Sequence, residues 1–123
     1  MRDFRKYDVW KEGLDLSQAI YQLTAKFPRE ELFGLSSQMR RASVSIPSNI
    51  AEGASRSTEA AFGHFIEISI GSAFELETQL ELSNRVNYIS AEKLAELLEP
   101  LQILQRKLNS FRNKLKQPTA NSQ

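Results

Sequence analysis

A stripe of apolar residues with helical spacing runs from Leu35 to Gly53 and continues across a proline. The stripe residues recur every three or four positions, as on one face of a helix, and are Leu35, Met39, Ala42, Ile46 and Ile50. Pro47 lies inside this pattern, where it removes a backbone donor and crowds the carbonyl group of Ser43. We therefore predict a kinked helix held from both sides, in which Ser43, Ser45 and Ser48 satisfy the backbone groups that the proline frees.

Three further segments carry helical stripes, and no segment shows strand-like alternation of useful length. The predicted helices span residues 8–27, 32–53, 58–87 and 90–116. Their expected N-terminal caps include Asp8, Ser57 or Thr58, and Ser90. Because the links are short, neighbouring helices should be antiparallel. Residues 1–117 are predicted to form a single all-α domain, an up-down-up-down four-helix bundle, with a flexible tail at 118–123.

The third predicted helix is apolar on more than one side. Its second stripe lies roughly 110° from the first on a helical wheel and includes Ile68, Leu82 and Val86. One bundle face cannot easily bury both stripes, which favours contacts with other subunits. The predicted core contains Trp10, Leu14, Leu35, Met39, Ile46, Ile50, Phe62, Phe65, Leu76, Leu80, Leu101, Leu104 and Leu108.

Composition argues against several classes of function. The 123 residues include no cysteine and a single histidine, His64, so thiolate metal sites and a His-dependent triad are not expected. With 16 basic and 15 acidic residues, the net charge of +1 identifies no partner. No apolar run approaches the ~20 residues of a membrane span, and the charged N-terminal residues lack the apolar core of a secretory signal. We expect a cytoplasmic protein without a membrane contact and without a cofactor.

Charge is distributed unevenly along the chain. From Leu101 to the C-terminus there is no acidic residue, and the basic residues are Arg106, Lys107, Arg112, Lys114 and Lys116. Cations near a helix C-terminus are favourable in any case, so the plain interpretation is dipole complementarity and solubility. The functional interpretation is a nucleic-acid contact, which an oligomer would repeat around a ring.

Two glutamates are the residues that most invite a catalytic interpretation. Glu75 and Glu77 are two positions apart, so on a helix their side chains diverge by roughly 160° and cannot share one ligand. Arg40 and Arg41 are adjacent and could bind phosphate. We favour structural ion pairs between these arginines and Glu75, Glu77 or Glu52, which would join the second helix to the third.

Two long motifs resemble a bacterial family of four-helix-bundle proteins encoded by intervening sequences in 23S ribosomal RNA genes. Residues 37–53 read SQMRRASVSIPSNIAEG and residues 71–80 read GSAFELETQL, and the resemblance covers about residues 4–116. It implies a left-handed bundle that assembles into a ring-shaped homopentamer. The family is also similar in shape to the accessory protein of diversity-generating retroelements, whose implied partners are RNA and a reverse transcriptase. The family has no agreed biochemical activity.

We therefore expect a non-catalytic homo-oligomeric scaffold whose basic rim engages RNA or DNA. One alternative is a ring that serves structural or regulatory protein interactions. A more distant alternative is a metal-dependent hydrolase that uses Glu75, Glu77 or Glu52, and it requires those carboxylates to converge on a metal ion.

Overall fold

The computed structural model describes residues 2–116, which form four α-helices joined by short links. The helices are α1 (Asp8–Thr24), α2 (Leu35–Ala54), α3 (Glu59–Arg85) and α4 (Ala91–Lys116). Short 3-10 turns precede α1 at Phe4–Lys6 and α2 at Arg29–Glu31. The predicted all-α class is confirmed, although α1 ends three residues earlier than predicted and α2 begins three residues later. The expected flexible tail at 118–123 lies outside the described residues.

Polar side chains begin α3 and α4 as predicted. The Thr58 hydroxyl accepts a hydrogen bond from the backbone N–H of Ala61, and the Ser90 hydroxyl accepts one from Lys93, both at 3.1 Å. Each bond satisfies a donor of the first helical turn that has no partner within the helix. The prediction that Asp8 is the N-cap of α1 is wrong, because Asp8 is already helical. The N-cap position is Tyr7, whose side chain makes no capping hydrogen bond within the described residues.

Each helix is antiparallel to both of its neighbours. Between α1 and α2, a Cβ at Gly13 would lie 3.2 Å from the Pro47 ring, whereas Arg40 bonds Thr24 at 2.9 Å. Residue numbers thus rise along one helix as they fall along the other. α2 packs against α1 and α3, and α4 packs against α3 and α1. The up-down-up-down order is confirmed, and the left-handed turn of the bundle stays a prediction.

The core follows the predicted stripes with one error. Nine predicted core residues are buried, and Trp10, Leu35 and Phe65 are half-buried at its edge. The prediction that Leu14 is a core residue is wrong, since 44% of its surface is exposed. The inward face of α1 at this level is occupied by Gly13 and the buried Ser17 instead. Small residues here allow α1 to approach the Pro47 ring closely.

Pro47 is accommodated by hydroxyl groups from two neighbouring helices. The Ser43 carbonyl would ordinarily receive the N–H of residue 47, and the buried Ser17 hydroxyl of α1 lies 2.9 Å from it instead, sharing its proton with the Gly13 carbonyl of α1 at the same distance. From the other side, the Ser69 hydroxyl of α3 donates to the Ile46 carbonyl at 2.9 Å. α2 is therefore held from both sides, as predicted, but the donors come from α1 and α3.

The serines within α2 have other partners than the freed carbonyl. The Ser43 hydroxyl donates to the Arg40 carbonyl, and the Ser45 hydroxyl bonds the Ser72 hydroxyl of α3 at 2.8 Å. Ser48 is exposed. The prediction that these three serines satisfy the groups around Pro47 is wrong, because a helix can borrow a donor from a packed neighbour.

The link before α2 and the link before α4 meet at one end of the bundle. The Glu31 carboxylate accepts the Leu35 N–H at 3.1 Å and the Tyr88 hydroxyl at 2.7 Å. Both hydrogen bonds favour the ionised form, so the pKa of Glu31 is lowered, chiefly by Tyr88. The contact ties the start of α2 to the link that follows α3.

Candidate nucleic-acid interface

The C-terminal half of α4 presents a shallow basic depression of about 520 Å³, which we call the α4 depression. Its lining residues are Arg106, Lys107, Ser110, Phe111 and Lys114. These positions recur at three- and four-residue intervals, so they share one face of the helix. Three of the five predicted nucleic-acid-binding residues therefore lie together around one concave surface.

Phe111, which lines the α4 depression, is held in place by aromatic packing. Phe111 packs edge-on against Tyr7 with 5.1 Å between ring centroids, and against Phe62 of α3 with 5.2 Å. Edge-to-face arrangements of this kind are the favoured geometry for aromatic pairs. These aromatic contacts hold the C-terminal part of α4 in place, and the Phe111 ring is engaged in packing.

Two of the five predicted cations are paired with carboxylates from other helices. Lys107 contacts Glu12 of α1, and Lys116 contacts Glu67 of α3, both at 2.7 Å. The bond to Glu12 raises the pKa of Lys107, and the bond from Lys116 lowers the pKa of Glu67. The C-terminal half of α4 contains no acidic residue, but folding places Glu12 of α1 and Glu67 of α3 beside it.

The remaining three cations differ in their surroundings. The Arg112 guanidinium contacts the Asn109 side chain, and its buried Nε has no hydrogen-bond partner among residues 2–116. Arg106 and Lys114 are exposed, and within residues 2–116 no carboxylate oxygen lies within 4 Å of either cation. These two side chains are the most available for an anionic ligand.

The predicted ion pairs between α2 and α3 are not formed within the described part of the chain. Glu52 pairs with Arg56 at 3.2 Å, one helical turn away. The Arg40 Nε donates to the Thr24 hydroxyl, and its guanidinium lies over the Tyr21 ring at 4.9 Å. The hydroxyl contacts Ser45–Ser72 and Ser69–Ile46 join the two helices instead.

Glu75 and Glu77 face different neighbours, as the helical step requires. The Glu77 carboxylate accepts hydrogen bonds from Gln105 at 2.8 Å and Gln102 at 3.3 Å, both on α4. Glu75 is exposed beside α2, where it borders a polar pocket of about 340 Å³ together with Arg41. Among residues 2–116, no cluster of three or more His, Cys, Asp or Glu side chains could hold a metal ion.

A second concave surface was not anticipated from the sequence. It is a groove of about 690 Å³ along the outer face of α2, which we call the α2 groove. Its apolar part consists of Tyr21, Leu32, Phe33 and Val44, and its polar part includes Arg40, Arg41, Ser48 and Asn49. The signal that could have revealed it is the pair Leu32 and Phe33, which lies outside the inward stripe of α2.

The fold and its surfaces define a small helical bundle with basic and mixed polar faces. Within residues 2–116, no helix is long and apolar enough to cross a bilayer. The sequence profile of the 23S rRNA-intervening sequence protein family matches residues 5–110, and the chain belongs to this family. The resemblance inferred from the two motifs is thereby confirmed.

A solved structure of similar fold supports the same assignment. It is the crystal structure of a protein of unknown function from the S23 ribosomal protein family of Bacteroides thetaiotaomicron. The two chains are 26% identical, the TM-score is 0.76, and the match covers 89% of this chain and 99% of the other. A comparison with curated proteins gives no match.

Proposed function

We propose that this protein is a non-catalytic, homo-oligomeric scaffold that engages the phosphates of RNA or DNA through the basic end of α4. The observation that carries the proposal is the grouping of Arg106, Lys107 and Lys114 around the α4 depression. Arg106 and Lys114 are eight residues apart, about 12 Å along the helix axis, so they suit different phosphates. A cytoplasmic location is part of the proposal.

The paired cations remain compatible with phosphate binding. Lys107 and Lys116 form ion pairs at the surface, where solvent screening makes such pairs contribute little to stability. A phosphate group can therefore compete for either lysine at small cost. Acidic charge also lies beside the depression, since Arg106 borders a neighbouring pocket with Glu77 and Glu81. We accordingly expect binding of modest strength that depends on several cations together.

The arrangement of carboxylates supports a binding role over hydrolysis. A metal-dependent hydrolase needs carboxylates that converge on one ion. Glu75 borders a pocket with α2, whereas Glu77 is bonded to two glutamines of α4. Glu52 pairs with Arg56 in the last turn of α2.

Exposed apolar residues on α3 support the oligomeric part of the proposal. Ile68, Leu82 and Val86 of the second stripe are exposed in the single chain. A second subunit could cover them, and the number five follows from the family resemblance alone. Light scattering should give a mass of five 14.0 kDa chains for the parent and a smaller mass for Ile68→Lys/Leu82→Lys. Leu14→Lys, at an exposed position of α1, should leave the parental mass unchanged; a parental species of one chain refutes assembly.

The nucleic-acid contact is tested by removing the two most available cations. Arg106→Gln/Lys114→Gln should weaken binding to a structured RNA and lower the slope of log affinity against log salt by about one per lost phosphate contact. Fluorescence anisotropy at several salt concentrations measures both quantities. The matched control is Lys26→Gln/Arg85→Gln, which removes the same charge from exposed positions at the opposite end of the bundle.

The two variants separate a local contact from a general charge effect. The proposal requires the α4 variant to lose affinity while the control variant stays close to the parent. Equal losses in both would show that net charge alone governs binding. Parental affinity in the α4 variant would show that the contact lies elsewhere, and a parent that binds no nucleic acid at low salt would refute the proposed function.

A further inference from the structure

The α2 groove carries one aromatic ring, Phe33, that the described part of the chain hardly uses for packing, beside a Tyr21 ring that carries the Arg40 guanidinium. Phe33 is 93% exposed and Tyr21 is 48% exposed, and both line the groove. Solvent-exposed aromatic and aliphatic groups gathered in one place usually mark an interaction site. Flat aromatic faces suit the π-faces of nucleobases, because stacking tolerates every base type.

Arg40 of the same groove is pre-organised for an anion. Its Nε donates to the Thr24 hydroxyl at 2.9 Å, and that hydroxyl in turn donates to the Ile20 carbonyl at 2.7 Å. The guanidinium lies over the Tyr21 ring, with 4.9 Å between Cζ and the ring centroid. Within the described residues, the two Nη atoms make no protein hydrogen bond and no ion pair. This leaves a fixed pair of donors that matches a phosphate group.

The rest of the groove adds charge and hydrogen-bonding groups. Arg41 is exposed beside Arg40, and no carboxylate among residues 2–116 lies within 4 Å of either side chain. The hydroxyls of Ser37 and Ser48 line the groove without a protein partner in the same part of the chain. Two cations without a direct ion pair favour a polyanion over a cationic partner, although Glu75 lies in the pocket next to Arg41.

We propose that the α2 groove binds a single-stranded segment of nucleic acid, with an unpaired base stacked on Phe33 and a phosphate held by Arg40. The inference rests on the proposed engagement of nucleic acid and adds a second, separate site. α2 and α4 lie diagonally across the bundle, since α2 packs on α1 and α3 and makes no contact with α4. The α4 depression would contact backbone phosphates of any strand, whereas the α2 groove requires exposed bases.

The test compares single-stranded and duplex probes of equal length. The probes are a labelled 12-nucleotide uridine RNA, the thymidine DNA of the same length, and a 12-base-pair RNA duplex, measured by fluorescence anisotropy. Phe33→Ala removes little packing, because the ring is almost fully exposed, and should weaken single-strand binding about tenfold. Arg40→Gln should do the same, and both variants should bind the duplex as the parent does.

The control is Leu14→Ala, because Leu14 is an exposed apolar residue on α1 that lines neither the α2 groove nor the α4 depression. It should leave single-strand affinity unchanged. In a direct mapping experiment, an RNA 12-mer that contains 4-thiouridine should cross-link on irradiation to peptides that include Tyr21 or Phe33. Comparing the affinities of the RNA and DNA 12-mers establishes whether the sugar contributes to binding.

The outcomes distinguish this inference from the proposed function. If Phe33→Ala binds single strands like the parent, the groove proposal is overturned while α4 binding stands. If Phe33→Ala instead changes the oligomeric mass and leaves RNA affinity intact, the groove seats another copy of the chain and the proposal is also overturned. If the parent binds neither probe, both proposals fail together.

Discussion

The contact between Ser17 and the proline-containing helix yields a quantitative prediction. Ser43 is fully buried, and its carbonyl lacks the usual helical donor because residue 47 is proline. Ser17→Ala would leave this acceptor without its hydroxyl donor, which costs about 1–3 kcal/mol. Alanine is the better helix former by about 0.5 kcal/mol, so we expect a net loss of about 0.5–2.5 kcal/mol in the free energy of unfolding.

A double-mutant cycle isolates the reason for this loss. Pro47→Ala restores an N–H that can donate to the Ser43 carbonyl within α2. In that background, Ser17→Ala should cost only about 0.5 kcal/mol or less, although Pro47→Ala itself loses the ring that packs near Gly13. Urea denaturation at a fixed protein concentration measures all four proteins, because assembly would make stability depend on concentration.

The control for the cycle is Ser48→Ala. Ser48 adjoins Pro47 in sequence but is exposed, so its replacement should change stability by no more than about 0.5 kcal/mol. The reasoning is refuted if Ser17→Ala costs the same with proline and with alanine at position 47. That result would mean that the Ser17 hydroxyl stabilises α1 locally and not the freed carbonyl.

Two further variants test other contacts of the fold. Gly53→Ala should lower the free energy of unfolding by about 1–3 kcal/mol, because its Cβ would lie 2.7 Å from that of Phe65. A Cβ at Gly71 would meet no atom of the described residues within 4 Å, so Gly71→Ala should instead stabilise α3 by about 0.5–1 kcal/mol; equal thermal shifts in the two variants would contradict this. The Tyr88 hydroxyl lowers the pKa of Glu31 below 4.5, so the carboxylate stabilises the fold above that pH, and the effect is lost as the pH falls through the folded-state pKa. Glu31→Gln should therefore destabilise the protein at about pH 7, with a difference from the parent that shrinks on acidification; a difference independent of pH would argue against the contact.

Signals that act within one helix were readable from the sequence. Thr58 and Ser90 cap the helices that follow them, because capping depends on a donor only three residues away. The prediction that Leu14 lies in the core is wrong because the orientation of α1 depends on a contact with another helix. The inward face of α1 here packs closely on Pro47 of another helix, whose ring would lie 3.2 Å from a Cβ at Gly13.

The surfaces were less predictable than the core. Lys107 and Lys116 were recognised as basic residues, but their partners Glu12 and Glu67 are distant in sequence and close only after folding. The expected arginine–glutamate pairs between α2 and α3 are likewise not formed in the described part of the chain, because Arg40 contacts Thr24 and Tyr21 of α1 instead. Exposed charges have many alternative partners of nearly equal energy, so sequence spacing does not select among them.

The buried hydroxyl contacts of α2 also bear on which alignment the bundle adopts. Apolar stripes with a three- to four-residue period look nearly the same after one helix slides past another by a turn. Such a slide would keep leucine against isoleucine, yet it would separate Ser17 from the Ser43 carbonyl and Ser69 from the Ile46 carbonyl. A displacement of one turn along α1 would then leave the carbonyl opened by Pro47 without a donor in an apolar interior. Proline, usually a disruptive residue in a helix, here helps to select the axial position at which α1, α2 and α3 fit together.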